Sequence, residues 1–67
     1  MTEYTPDNWV IVRIPYNDTT ISKVVAGWSG GYLNGSSWRV NSGIIHIEDC
    51  GKFYRFHGNS GSVYKCY

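Results

Sequence analysis

The chain has 67 residues and a formal net charge of +1 with both histidines neutral. One domain is the only option at this length, and so short a chain buries only about 60% of its unfolded surface, which leaves it unable to wall a deep pocket alone. The near-neutral charge excludes a dedicated DNA-binding protein, which needs a strongly basic face, and a hydrophobic content of 42% excludes a disordered chain.

Aromatic residues are the outlier: three Trp, six Tyr and two Phe. Each large ring buries roughly 150–250 Å², so a few rings can replace many aliphatic side chains in a small core. Together with the glycines, serines and β-branched residues they make a β composition.

Met1–Asn8 reads as a polar lead-in with a turn at Pro6-Asp7. Trp9–Ile14 is a strand, with Val10, Val12 and Ile14 on one face and Trp9, Ile11 and Arg13 on the other. Pro15 is expected to end it, and Asn17-Asp18 supplies turn chemistry. Ser22–Trp28 is the second strand, with Val24, Ala26 and Trp28 toward the core. Asn34-Gly35 is a type I′ hairpin signal. Closing that turn puts Gly31 opposite Trp38, and a bulge at Gly30-Gly31 reconciles this with the phase of Val24, Ala26 and Trp28. The result is a long bent hairpin from about Lys23 to Asn41, its returning strand near 36–41, with Trp38 over a glycine gap.

Ile44–Glu48 and Lys52–His57 form another hairpin around Cys50-Gly51, pairing Ile47 with Tyr54, Ile45 with Phe56 and His46 with Arg55. Gly58–Ser62 is a loop before a last strand, Val63–Tyr67. A five-residue loop puts Tyr64 opposite Phe56 and Cys66 opposite Tyr54; a four-residue loop puts Tyr64 opposite Arg55. The first is preferred. No segment shows helical periodicity.

These six short strands imply an all-β fold: a small antiparallel meander, closed as a curled sheet or an SH3-like barrel because an open sheet leaves exposed edges. Edge-to-edge pairing into an oligomer is the alternative. The expected core is Val10, Val12, Val24, Trp38, Ile45, Ile47, Tyr54 and Phe56. A core this thin cannot enclose every ring, so a surface patch is expected on the Trp9/Ile11 face and on the Phe53 side of the last hairpin. Such a patch implies a homodimer or larger assembly, with a ligand site at the subunit seam.

Gly27-Trp28-Ser29-Gly30-Gly31 matches the G-x-S-x-G elbow of serine hydrolases, but the strand–turn–helix context that motif requires is missing. Ser62-Val63-Tyr64-Lys65 matches S-x-x-K, yet on a strand Ser62 and Lys65 face opposite ways. His46, His57, Glu48, Asp49 and Cys50 lack metal-ligand spacing and read as a polar sheet face. Cys50 and Cys66 read as free thiols; a disulfide between them is sterically open and would add on the order of 3 kcal/mol. No cofactor is implied.

A near-repeat carries the binding chemistry. Gly27-Trp28-Ser29-Gly30 followed by Tyr32 echoes Gly58-Asn59-Ser60-Gly61 followed by Tyr64, and Asn41-Ser42-Gly43 adds a third Ser-Gly. Glycine-rich turns can converge backbone N–H groups on an anion, while serine adds a hydroxyl donor. Aromatic rings suit a base, and Arg13, Arg39 and Arg55 supply charge. The same residues are also ordinary turn formers. The candidate ligand-binding residues are Trp28, Ser29, Gly30, Gly31, Tyr32, Arg39, Arg55, Asn59, Ser60 and Gly61.

The stretches Ala26–Arg39 and Phe56–Cys66 resemble small, uncharacterised accessory proteins of tailed bacteriophages. The resemblance covers about half the chain and carries over no catalytic residue. It implies a protein made in the bacterial cytoplasm that inhibits host or defence machinery by binding. The N-terminus has no signal-peptide pattern and no apolar run spans a membrane, so an intracellular, complete chain is expected. The expected function is a non-enzymatic binding protein that takes a host protein or a small nucleotide-like ligand. A small virion or assembly protein is the alternative, and an enzyme ranks last.

Overall fold

The computed structural model describes residues 2–29 and 36–67. Seven strands follow in order: β1 (Thr2–Tyr4), β2 (Asn8–Tyr16), β3 (Thr19–Ser29), β4 (Ser36–Val40), β5 (Ile44–Asp49), β6 (Tyr54–Gly58) and β7 (Ser62–Cys66). The fold is all-β, as the composition requires. The described strands do not close into a barrel or run as one meander. They form a three-stranded sheet, β2-β3-β4, facing a four-stranded sheet, β1-β7-β6-β5.

The extra strand is β1, which the sequence presents as a polar lead-in. It pairs parallel with β7, placing Thr2 opposite Ser62 and Tyr4 opposite Tyr64. Parallel pairing of distant segments leaves no hairpin signature, which is why it escapes a reading built on turns. All other pairs are antiparallel. β2 runs through Pro15 to Tyr16 because it is an edge strand, where the missing N–H of proline can face solvent. The turn that follows sits at Asn17, whose φ of 55° is the left-handed region that asparagine tolerates.

Register corrects two of the expected hairpins. Trp38 lies opposite Gly27, not Gly31; the proposed Gly30-Gly31 bulge and the Asn34-Gly35 turn fall outside the described residues. β5 and β6 join through a wider turn closed by Cys50 N donating to the Phe53 carbonyl at 2.9 Å. Ile47 therefore pairs with Phe56 and Glu48 with Arg55, and the ladder shifts between Ile44 and His46. That is two residues from the expected register, so each side chain keeps its face. The β6–β7 pairing of Phe56 with Tyr64 and Tyr54 with Cys66 is as expected.

The core is the space between the two sheets. Val24 and Ala26 from β3 meet Phe56, Tyr64 and Cys66, with Tyr4, Trp9, Trp28 and Ile44 packed around them. Val24 and Phe56 are thus core, as expected. Val10, Ile45, Ile47 and Tyr54 are exposed instead, Trp38 is 72% exposed, and Val12 is half-buried. The reason for β2 is pairing: Trp9 lies opposite Ala26, whose small side chain lets the indole enter between the sheets. There the indole sits 5.3 Å from the Phe56 ring and 6.2 Å from that of Tyr54. Its Nε1 donates to the Tyr67 carbonyl at 2.7 Å. The Trp9 face is therefore the inner one and the Val10 face the outer. For β5 the reason is position: it is an edge strand, and only Ile44 reaches the core cluster.

Asn41, just after β4, is the one buried polar side chain among the described residues. Its Oδ1 accepts from Val24 N at 2.9 Å while its own N–H donates to the Val24 carbonyl at 3.1 Å, so the residue continues the β3–β4 ladder by one side chain. Asn41 Nδ2 has no partner among the described residues. No helix among the described residues is long and apolar enough to cross a membrane.

A cleft between the edge strands β1 and β4

The two sheets leave an opening where β1, the edge of one, approaches β4, the edge of the other. A cleft of about 330 Å³ lies there, lined by Tyr4, Trp28, Ser37, Trp38 and Arg39. That volume is at the lower end for small-molecule sites.

Each wall has a local cause. Tyr4 is held by the parallel pairing of β1 and stacks on Tyr64 with ring centroids 5.0 Å apart. Trp28 projects from the inner face of β3 and meets the Tyr4 ring edge-on at 6.1 Å. Its Nε1 donates to the Thr5 carbonyl at 3.0 Å, which fixes the indole plane. Asp7 then clamps the end of β3: its N–H donates to the Gly27 carbonyl at 2.9 Å, and its Oδ2 accepts from Ser29 N at 2.9 Å and from Ser29 Oγ at 3.4 Å. The segment between β1 and β2 thus orders the floor of the cleft.

Arg39 supplies the charge. Its guanidinium lies over the Tyr4 ring, 4.6 Å from the centroid, a cation–π contact that holds the side chain in place. Neither ion pair among the described residues involves it. Burial pushes the Tyr64 phenol up from its ordinary value, and the field of Arg39 opposes that shift. The charge of Arg39 therefore reaches the Tyr4–Tyr64 stack.

Of the residues expected to bind a ligand, the structure brings Trp28 and Arg39 into this cleft and puts Ser29 at its end, bound to Asp7. Gly30, Gly31 and Tyr32 lie outside the described residues. Arg55 is elsewhere, on the outer face of the four-stranded sheet. There it pairs with Glu3 at 3.3 Å, contacts Cys50 Sγ at 3.7 Å and covers the Phe53 ring; the Glu3 carboxylate holds its pKa above the ordinary value. On that same face His57 contacts His46 and hydrogen-bonds Glu48, which holds the Glu48 carboxyl below the usual range.

Asn59, Ser60 and Gly61 form the β6–β7 turn and do join the third Ser-Gly segment. Asn59 N donates to the Gly43 carbonyl at 2.8 Å, Ser60 N to Ser42 Oγ at 3.1 Å, and Gly61 N to the Gly58 carbonyl at 3.0 Å. Their N–H groups are thus used within the chain, and the near-repeat serves as a tie between two turns. Tyr4 and Ser37 were invisible as site residues, and Trp38 read as core. The signal that could have found Tyr4 is its place among the unassigned aromatics.

Cys50 is exposed and Cys66 buried, and both are free thiols. The chain matches no protein family, no curated protein and no solved structure.

Proposed function

We propose that this is a non-enzymatic binding protein that holds a small anionic ligand bearing an aromatic base, of nucleotide type, in the cleft between β1 and β4. One observation carries the reading: a guanidinium with no carboxylate partner among the described residues sits on a tyrosine ring in a cleft that the Trp28 indole also lines. Stacking on an aromatic side chain contributes about 1–3 kcal/mol per base, and a charge-assisted hydrogen bond from arginine to a phosphate about 1.5–3 kcal/mol. The binding role, rather than a catalytic one, is supported by what the hydroxyls contact. Ser29 faces Asp7, and Ser42 faces Ser60, while the histidines contact each other and Glu48. No serine–histidine pair stands ready to activate a nucleophile among the described residues. The resemblance to phage accessory proteins supplies the setting: sequestering such a ligand inhibits host or defence machinery that depends on it.

The test is a thermal-shift and tryptophan-fluorescence panel of nucleoside mono-, di- and cyclic oligophosphates. A binder raises the melting temperature by mass action and quenches the indoles. Arg39→Ala weakens that ligand at least tenfold, whereas Arg55→Ala leaves it unchanged. Absence of any shift or quenching at millimolar concentrations across the panel refutes the proposal.

A further inference from the structure

We infer that the base of the ligand is read by the main chain of Trp38, whose N–H and C=O point from the free edge of β4 into the cleft; this rests on the ligand reading above. The ladder sets the direction. Opposite residues of an antiparallel pair alternate between those that exchange hydrogen bonds and those that do not. Asn41 stands opposite Val24, one step beyond the Val25–Val40 pair, and its N–H donates to the Val24 carbonyl at 3.1 Å. Counting back by twos, Arg39 bonds to Ala26 and Ser37 to Trp28. The Ser37 carbonyl agrees, its oxygen lying 3.8 Å from a β-carbon built on Gly27 of β3. Trp38 belongs to the other set. It lies opposite Gly27 without bonding it, so its N–H and C=O turn away from β3. β4 ends its sheet, and neither group has a partner among the described residues.

Trp38 therefore lines the cleft with its main chain and not with its ring. Its side chain lies on the outer face with that of Val10, while those of Ser37 and Arg39 project inward. A cleft between two edge strands keeps hydrogen-bonding groups that the interior of a sheet uses up. One residue's N–H beside its own C=O is a donor next to an acceptor. Each nucleobase carries an acceptor and a donor side by side on its pairing edge, the matching pattern.

The neighbouring groups fit the same occupant. Arg39 adjoins Trp38 and stacks on Tyr4 through the face of its guanidinium, which leaves the N–H groups in its plane to grip a phosphate. It is the one charged residue lining the cleft, matching a single phosphate. An added peptide strand, by contrast, needs such a main-chain couple at every second residue. The cleft presents one, because Val40, the next residue of that set, is not among its walls. One couple matches one base.

The experiment titrates the four common nucleoside monophosphates, and counterparts methylated on the pairing edge of the base, into the full chain and into Trp38→Pro and Trp38→Ala, by calorimetry. Proline removes the N–H and is tolerated on an edge strand, where no ladder bond is lost. Alanine keeps the N–H, so the missing indole cancels in the comparison. For the nucleotide that binds most tightly, Trp38→Pro is expected to bind at least tenfold more weakly than Trp38→Ala, and the methylated counterpart at least tenfold more weakly than its parent. Hydrogen exchange of the wild-type chain needs no variant to fold. The Trp38 amide should exchange quickly beside slow Ser37 and Arg39 amides, and should slow at least tenfold in the complex. Equal binding of parent and methylated nucleotides, with an unchanged Trp38 amide, overturns this inference and leaves the ligand reading standing. A slow Trp38 amide in the free chain overturns it equally. A chain that binds none of the nucleotides overturns both.

Discussion

Replacing Asn41 tests whether its side chain completes the β3–β4 ladder. Asn41 is 5% exposed, and its Oδ1 is the acceptor for the N–H of Val24, itself fully buried. Asn41→Ala strands that donor, a penalty of about 1–3 kcal/mol. Part is offset because the same change removes Nδ2, a buried amide donor without a partner. The net loss expected is about 1–2 kcal/mol. Asn41→Asp retains the acceptor and deletes the orphan donor, yet it costs more at neutral pH. It buries a carboxylate whose second oxygen takes the place of Nδ2, which has no hydrogen-bond partner among the described residues. An unpaired buried charge costs several kcal/mol, and a domain of this size has only about 3–10 kcal/mol in total. Asn41→Asp should therefore be largely unfolded at pH 7 and regain stability as acid protonates the new carboxyl. Urea unfolding followed by far-UV circular dichroism at pH 7 and pH 4 measures both, with unchanged slopes licensing the comparison. An Asn41→Ala variant within 0.5 kcal/mol of wild type, or an Asn41→Asp variant as stable as wild type at pH 7, refutes the reasoning.

Phe56→Ala removes the ring that contacts Trp9 and Tyr54 in the core; a loss of about 3–5 kcal/mol is expected by denaturant titration, and under 1 kcal/mol would contradict the packing. Gly58→Ala puts a β-carbon 3.3 Å from both Asn41 Nδ2 and the Ser62 carbonyl oxygen, so a loss of about 1 kcal/mol is expected by the same assay. Thiol labelling under native conditions should modify Cys50 quickly and Cys66 only through unfolding, because Cys66 is fully buried; two equally fast thiols would contradict that burial. Burial also pushes the Cys66 thiol from 9.0 up to about 11 and raises the Tyr64 phenol above 10.0. A raised pKa means that the unfolded chain loses its proton first. The stability from Cys66 is thus intact below pH 9 and falls by about 2–3 kcal/mol as pH rises to 11. Tyr64 adds to the loss above pH 10. Denaturation midpoints from pH 8 to 11.5 check this, and Cys66→Ala should flatten the decline.

Hairpins were legible because their grammar is local. The loop Gly58–Ser62 fixed the Phe56–Tyr64 pairing. For β5 and β6, face parity is blind to a shift of two residues, and only the turn hydrogen bond from Cys50 N to Phe53 distinguishes them. The inside of β2 could not be chosen from alternation, since both faces carry large apolar residues. The decision rests with Ala26 across the strand, a relation that appears only once register is known. The cleft was half legible: Trp28 and Arg39 stand near the glycine-rich segment that drew attention to them. Tyr4 arrives from the other end of the chain through a parallel pairing that no turn announces.

That pairing also sets a timetable for synthesis. Thr2 cannot meet Ser62, nor Tyr4 meet Tyr64, until nearly every intervening residue has been translated. At about 5–20 residues per second the interval is roughly 3–12 s. Meanwhile the ribbon of β2 and β3 can form at once, being a local hairpin that closes in microseconds. The nascent chain therefore carries a finished ribbon with the Trp9 and Trp28 rings uncovered, waiting for β6 and β7 to emerge. Ribosome-associated chaperones would meet that aromatic surface before the second sheet exists, and the yield of folded protein depends on how well it is shielded during those seconds.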